Sequence, residues 1–312
     1  MNVLVTGGAG FIGSHVVEAL LKKGDYVVCL DNFDPYYDVS LKRANVAPFL
    51  DSDNFRLVEG DIRDKELIKG ILREHSIEYV IHEAAQPGVR ASIENPLKAT
   101  DVNVTGTLSI LSSCLDSGVK KIVNASSSSV YGEVEYLPFD EEHPRRPLSP
   151  YGASKLAAEH YCDVFTKLYG LKIASLRYFT VYGPRMRPDL AIWIFTEKAL
   201  RNEDIVIFGD GSKTRSFTYI DDVVDATLAA LKKGRGFYNI GEGSRVSIKE
   251  LATRIIEITN SQSGLSFTKA VKGDAIHTQA DITKAKRELR WQPKIGLKEG
   301  LRIFVNWKKH LC

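Results

Sequence analysis

The sequence predicts an α/β fold, with a doubly wound parallel sheet over its first part and a smaller mixed α/β part after it. Three observations carry this expectation. Short β-branched runs alternate with amphipathic stretches through the first half, a glycine-rich turn joins the first run to the first helix, and the regularity fades after about residue 180. Residues 3–6, 26–30, 55–58, 79–81, 121–125 and 173–176 read as buried strands, and 14–23, 65–74, 103–117 and 154–169 as the helices between them. Strands covered on both faces carry near-continuous apolar runs, and ligands of such sheets lie beyond the carboxyl ends of the strands. Past residue 180, Pro184, Pro188, the Gly209-Asp210-Gly211 turn, Gly234, Gly236, Gly241 and Gly243 cut the chain into short pieces, with helices expected over 222–232, 248–259 and 298–309.

The composition narrows the function classes. A chain of 312 residues with 44% hydrophobic and 26% charged residues can bury a sizeable core. A net charge of +3 is too mild for a nucleic-acid partner but suits an anionic small molecule. Cys29, Cys114, Cys162 and Cys312 are far apart and lack metal-ligand spacing, so reduced, mostly buried thiols and no metal site are expected. The chain opens directly on the apolar run MNVLVTG, and no apolar run approaches the length of a membrane span, so a cytoplasmic protein without a membrane partner is expected. No tandem repeat or low-complexity segment is visible.

The first chemical signal is the turn Thr6-Gly7-Gly8-Ala9-Gly10-Phe11-Ile12-Gly13, a GxxGxxG spacing between strand and helix. Gly7 permits the tight turn, Gly10 lets backbone approach a pyrophosphate, and Gly13 lets the helix pack closely; the helix N-terminus then offers its N–H groups to phosphate. Asp31 ends the second strand, where a carboxylate accepts hydrogen bonds from ribose hydroxyls and repels a 2′-phosphate, which favours NAD over NADP. Asp61 ends the third strand, either meeting the adenine edge or capping the helix that follows. The first part is therefore expected to be a Rossmann-type NAD-binding domain over residues 1–178. Residues 179–312 are expected to form the substrate-binding domain, with segments near 215–240 able to return to the first sheet.

The second signal is Tyr151-Gly152-Ala153-Ser154-Lys155, which sets a phenol and an ammonium one helical turn apart on one face. A free tyrosine is a poor base at neutral pH, and a neighbouring lysine cation together with a positive nicotinamide ring favours its phenolate. The phenolate can then take a proton from a sugar hydroxyl as hydride leaves the same carbon. The serine cluster Ser126-Ser127-Ser128-Ser129 closes the fifth strand at the same edge of the sheet, where its hydroxyls can bridge tyrosine and substrate.

Together, Gly7 to Gly13, Asp31, Asp61, Ala84-Ala85, Asn103, the serine cluster and Tyr151/Lys155 resemble the extended short-chain dehydrogenase/reductase family, in its nucleotide-sugar epimerase and dehydratase branch. The similarity spans nearly the whole chain, through Arg177-Tyr178-Phe179-Thr180-Val181-Tyr182-Gly183-Pro184, Arg215 to Asp222 and Asn239-Ile240-Gly241. It implies that Tyr151 is the acid/base, Lys155 its pKa-lowering and ribose-binding partner, and Ser127 the hydroxyl contact. It further implies NAD contacts from Gly7, Gly10, Phe11, Ile12, Gly13, Asp31, Asn32, Asp61, Ile62, Ala84, Ala85, Gln86 and Tyr178, with Asn103 beneath the tyrosine. For a UDP-sugar it implies Arg215 on the diphosphate, Phe208 beside the uracil, and Arg90, Ser128, Ser129, Thr180, Arg185, Arg187 and Asp274 around the rest. A homodimer built on the helices near 103–117 and 154–169 is part of the same expectation.

Chemistry narrows the branch. Dehydratases and decarboxylases of this family usually carry an acidic residue just after the hydroxyl residue, whereas Ser128 and Ser129 stand here. Oxidation followed by return of the hydride, hence C4 epimerisation, is the simplest remaining reaction. The stretches from Asp31 to Arg43, Ala85 to Arg90 and Gly183 to Ala191 resemble the UDP-glucuronate 4-epimerase subgroup, with Arg185 and Arg187 as partners for the sugar carboxylate. UDP-glucose or an N-acetylated UDP-sugar is the alternative substrate. Three departures stand out: Pro87 in place of alanine, Glu83 in place of an apolar residue, and Val271-Lys272-Gly273-Asp274 without the arginine that UDP-glucose 4-epimerases place before the glycine.

Overall fold

The computed structural model describes residues 1–270, 273 and 275–311, so Lys272 and the expected substrate residue Asp274 lie outside the described residues. Six strands, β1 (Asn2–Thr6), β2 (Tyr26–Asp31), β3 (Phe55–Glu59), β4 (Tyr79–His82), β5 (Lys121–Ser127) and β6 (Ile173–Tyr178), are joined by the strand Gly236–Ile240 in one seven-stranded sheet. Its order is β3-β2-β1-β4-β5-β6 followed by Gly236–Ile240, and every pairing is parallel. The chain runs outward from β1 to β3, then crosses back to β4, so the strand order reverses between β1 and β4. A crevice opens at such a reversal.

Alternation along each strand explains why the runs are continuously apolar. Val3 and Val5 face one side, packing with Val16, Val17 and Leu20 of the helix Phe11–Leu21 and with Val223 of the helix Ile220–Lys233. Leu4 faces the other side with Ile68, Ile71 and Leu72 of the helix Lys65–Glu74 and Ile110 and Leu111 of the helix Gly106–Cys114. The segment 220–240 thus belongs spatially to the first sheet. Cys29, Cys114 and Cys162 are buried and unbonded.

Several strands run one or two residues beyond their expected ends, which brings Asp31, His82, Ser127 and Tyr178 into the ladder at its carboxyl edge. The helix Pro150–Tyr169 begins earlier than residue 154, because Ser149 caps Gly152 N–H at 3.1 Å and Pro150 occupies the first helical position. Tyr151 therefore sits in its first turn. The helix expected over 103–117 is instead a π-turn, Asp101–Thr105, running into Gly106–Cys114. The rest of the chain stacks the helices Ala191–Leu200, Ile248–Thr259 and Leu297–Lys309 beside a parallel pair, Ile205–Phe208 with Leu265–Thr268. No helix among the described residues is long and apolar enough to cross a membrane.

Candidate active site

A cleft opens at the carboxyl ends of the strands, lined at one end by the glycine turn and Asp31 and at the other by Tyr151 and Lys155. The turn is fixed by contact. Gly7 has φ 68°, its N–H donates to the Leu30 carbonyl at 2.7 Å, and a Cβ there would stand 2.6 Å from the Ala84 nitrogen. A Cβ on Gly13 would meet the Gly7 carbonyl at 2.2 Å, so Gly13 closes the helix onto the turn itself rather than onto the sheet. Gly10 caps the helix Phe11–Leu21 without a side-chain hydrogen bond, which leaves the first N–H groups to the cleft.

Asp31 is buried and held by two backbone donors, Ala9 N–H at 3.1 Å and Phe33 N–H at 2.9 Å. Each carboxylate oxygen keeps a further lone pair. Burial raises its pKa, and the Lys42 charge and the two N–H donors oppose the rise. Lys42 itself lines the cleft and donates to the Asp34 carbonyl at 2.9 Å. Tyr37 Oη, on the same wall, is buried and has no hydrogen-bond partner among the described residues. Phe11, Ile12, Asn32, Ile62, Ala84, Ala85, Gln86 and Tyr178 line the cleft as expected.

Two expected contacts act differently. Asp61 is absent from the lining; it binds Arg63 and accepts Asn32 Nδ2 at 3.0 Å, and Asp64, not Asp61, caps the helix Lys65–Glu74. Asn103 lies behind the wall, because the π-turn points its amide at backbone. Its Oδ1 accepts Gln86 N–H at 2.7 Å, and its Nδ2 donates to the Gln86 carbonyl at 3.1 Å and Ser154 Oγ at 2.9 Å. It positions the lining without forming part of it.

At the far end, Lys155 is buried and its Nζ donates to the Ala125 carbonyl at 2.8 Å. Burial pushes its pKa down to about 8, opposed by the charge of Glu83. Burial pushes the Tyr151 phenol up; a hydrogen bond with Ser127 and the Arg187 charge oppose this, and Glu83 adds to it. Ser127 and Arg187 thus oppose the rise from within the chain, and Lys155 stands on the same cleft wall as the phenol. Ser127 Oγ accepts Ser129 N–H and donates to Ser129 Oγ, both at 3.1 Å, so the strand end that carries it is closed into a tight turn. Behind it, Ser126 Oγ donates to Glu159 at 2.6 Å, and the fully buried Arg177 grips that carboxylate with Nε at 2.9 Å and Nη2 at 2.8 Å.

A second, smaller cleft gathers Ser128, Ser129, Thr180 and Arg215 with Ser149 and Thr278. Hydroxyl donors and one guanidinium dominate its polar lining, and among the described residues it holds no carboxylate. Arg215 is steadied by the Thr214 and Ile276 carbonyls at 2.8 and 3.2 Å. Phe208, 46% exposed, lies under the Arg90 guanidinium at 4.5 Å, apart from both linings.

The arginine pair divides. Arg187 reaches the first cleft, but Asp189 holds it with two hydrogen bonds of 2.9 and 3.1 Å, and Tyr36 Oη donates to the same Asp189 at 2.9 Å. Arg185, at φ 63°, turns away and binds Glu18 at 2.7 Å, outside both linings. The expected carboxylate role of Arg185 is therefore corrected: the backbone twist delivers its guanidinium to the first helix. Sequence reasoning missed Tyr36, Tyr37 and Lys42 as lining residues. Alternating aromatic and charged residues in a loop after a strand carry no pattern of their own. It noted Glu83 only as a departure, yet Glu83 lines the cleft and accepts Tyr178 Oη at 2.8 Å.

Comparison with known proteins places this geometry. The family model described as GDP-mannose 4,6 dehydratase matches residues 4–304. The UDP-glucuronate 4-epimerase of Thermodesulfobacterium geofontis is 44% identical over 309 residues, covering 98% of this chain and 95% of that one. Among solved structures, UDP-glucuronic acid 4-epimerase from Bacillus cereus in complex with UDP-glucuronic acid and NAD superposes with a TM-score of 0.94 at 38% identity, covering 100% of both chains. UDP-glucose 4-epimerase from Thermotoga maritima with UDP-glucose superposes with a TM-score of 0.93 at 39% identity, covering 100% of this chain and 99% of that one. A glycine turn, a strand-end aspartate and a Tyr/Lys pair at the carboxyl edge of a parallel sheet, matched from end to end, make this chain a member of the GDP-mannose 4,6 dehydratase family of extended short-chain dehydrogenases/reductases.

Proposed function

We propose that this chain is an NAD-dependent isomerase that inverts C4 of a UDP-sugar through a transient 4-keto intermediate, with UDP-glucuronate the favoured substrate. The observation that carries the reading is the pairing of Tyr151 and Lys155 on the wall of the glycine-turn cleft, with Ser127 set between Ser126, which lines that cleft, and Ser128, which lines a hydroxyl-rich second cleft that holds no carboxylate among the described residues. The residues of the first cleft fit NAD: the glycine turn and open helix N-terminus suit a pyrophosphate, Asp31 suits ribose hydroxyls, and the Tyr37 hydroxyl, without a partner among the described residues, offers a further polar contact. Bound NAD supplies the acceptor for hydride from the sugar carbon and the donor for its return to the other face.

The chain's own residues do the rest. Tyr151 takes the C4 hydroxyl proton and later gives it back; Ser127 holds both oxygens in line and favours the phenolate. Lys155, pinned to the Ala125 carbonyl, grips the ribose and brings positive charge beside the phenol. Ser128, Ser129 and Thr180 cradle the sugar, and Arg215 grips the diphosphate. The glucuronate preference rests on these three hydroxyls and on the relatives named above, since Arg185 is committed to Glu18 and Arg187 to Asp189. That commitment is also what favours the second reading, an uncharged UDP-glucose substrate. Offering UDP-glucuronate and UDP-glucose separately, with products resolved by NMR, separates the two; faster inversion of the uncharged sugar would overturn the glucuronate assignment.

Residues 1–178, with the segment 220–240, are read as the NAD-binding part and the remainder as the sugar-nucleotide part. A homodimer fits the exposed apolar stripe Tyr161, Val164 and Leu168 on the helix Pro150–Tyr169, with Leu97 beside it. The three buried, unbonded thiols are in keeping with a cytoplasmic setting.

A further inference from the structure

Glu83 follows β4 directly and stands on the cleft wall with Tyr151, Lys155 and Tyr178. Its Oε1 and Tyr178 Oη are 2.8 Å apart, Tyr178 Oη and Thr227 Oγ1 are 2.8 Å apart, and Thr227 Oγ1 reaches the Val223 carbonyl at 2.8 Å. This row of groups has two complete proton arrangements. With Glu83 ionised, Thr227 donates to Tyr178 and Tyr178 donates to Glu83. With Glu83 protonated, Glu83 donates to Tyr178, Tyr178 to Thr227, and Thr227 to the Val223 carbonyl. Neither arrangement strands a buried hydroxyl, so the carboxyl can change charge without breaking the row. A buried carboxyl lacking such partners would be confined to one state.

The groups facing Glu83 decide what that charge does. Lys155 and Tyr151 come from the helix Pro150–Tyr169, Tyr178 from β6, and Thr227 from the helix Ile220–Lys233. The adjacent His82 lies between Thr6 Oγ1 at 2.7 Å and Thr107 Oγ1 at 3.1 Å, and burial pushes its pKa down to about 3, so it stays neutral. Lys155 is the cation coupled to Glu83.

We propose that Glu83 is a positioning residue whose carboxylate balances the Lys155 ammonium and makes the cleft favour the oxidised, positively charged nicotinamide over the reduced, neutral one. The inference rests on the reading of this cleft as an NAD site. Such a bias keeps the resident cofactor in the form that begins each cycle and drives the return of hydride to the sugar. Burial pushes the Glu83 carboxyl up to about 7, against the Tyr178 hydrogen bond and the Lys155 charge, so the bias is present above that pH and fades as pH falls through it. Lys155, pushed down to about 8, titrates above this window.

The test is competition between NAD and NADH for the full-length protein without sugar, the bound ratio being measured from pH 6 to 7.5. The wild type should hold progressively more NAD relative to NADH as pH rises through this range. Glu83→Gln should show a flat ratio, lower than wild type by about tenfold at pH 7.5. Tyr178→Phe removes the donor to the carboxylate and should move the wild-type inflection to higher pH, which keeps the test decisive if the glutamine variant does not fold. A pH-independent ratio in the wild type, or equal ratios in wild type and Glu83→Gln with both forms bound, would overturn the proposal. Failure of the wild type to bind either form would instead overturn the NAD reading and the proposal with it.

Discussion

The two clefts take neighbouring residues of one strand end, Ser126 in the first and Ser128 in the second, but are built in different ways. The wall at the glycine turn is made largely of backbone: Gly7, Gly10 and Gly13 close within one short turn, and Asp31 is held by the N–H groups of Ala9 and Phe33. The second cleft is made of side chains from distant segments, with Ser128 and Ser129 after β5, Thr180 after β6 and Arg215 far beyond. A backbone site follows from local spacing, because steric rules leave the turn few alternatives. A side-chain site depends on which neighbour claims each group first, as Glu18 claims Arg185.

The sharpest probe of the proposed reaction is Tyr151→Phe, which removes the phenolic hydroxyl and keeps the ring. Turnover should fall by about 10³-fold, with NAD affinity nearly unchanged when titrated directly. Near-normal turnover would mean that Tyr151 does not carry the proton.

The backbone side is broken by a single methyl group. Gly13→Ala places a Cβ 2.2 Å from the Gly7 carbonyl, with no flexible side chain to give way. We expect a stability loss of about 2 kcal/mol in denaturant unfolding, together with weakened NAD binding. An unchanged unfolding midpoint would show that the turn relaxes more easily than its contacts imply.

Next in size is Ser127→Ala. Its hydrogen bond lowers the Tyr151 pKa, so its loss raises that pKa further and moves the alkaline rise of the rate to higher pH. At neutral pH the rate should fall by roughly tenfold. An unshifted pH–rate profile would remove Ser127 from the proton path.

The smallest expected effect sharpens the side-chain half of the contrast. Arg185→Ala removes a partly exposed pair with Glu18, and the stability change should stay within about 1 kcal/mol. KM for UDP-glucuronate should be unchanged, while a tenfold rise would return Arg185 to the sugar carboxylate.

The same contrast explains what is legible in the sequence alone. The six-strand core, the Asp31 strand end and the helix Lys65–Glu74 follow from periodicity and glycine spacing alone. The early start of the helix Pro150–Tyr169 was present as Ser149-Pro150, a cap followed by proline, though the expected boundary fell later. The π-turn that swings Asn103 behind the wall was not legible, because nothing in Asp101–Thr105 distinguishes it from ordinary helix. Nor was the opposite fate of Arg185 and Arg187, two residues apart in one loop; a positive φ at Arg185 sends them to different sides. The burial that raises the Tyr151 phenol was also hidden, since an i, i+4 pair carries no sign of what covers it.

The measurement that bears most directly on the reaction uses UDP-glucuronate carrying deuterium at C4, incubated with the protein and NAD and followed by NMR. Deuterium should be found at C4 of the inverted sugar, without transfer to the NAD pool and without loss of carbon dioxide. Product in which that deuterium has been replaced by solvent hydrogen, or NADH accumulating in step with substrate consumed, would contradict a hydride that leaves and returns at one carbon above Tyr151.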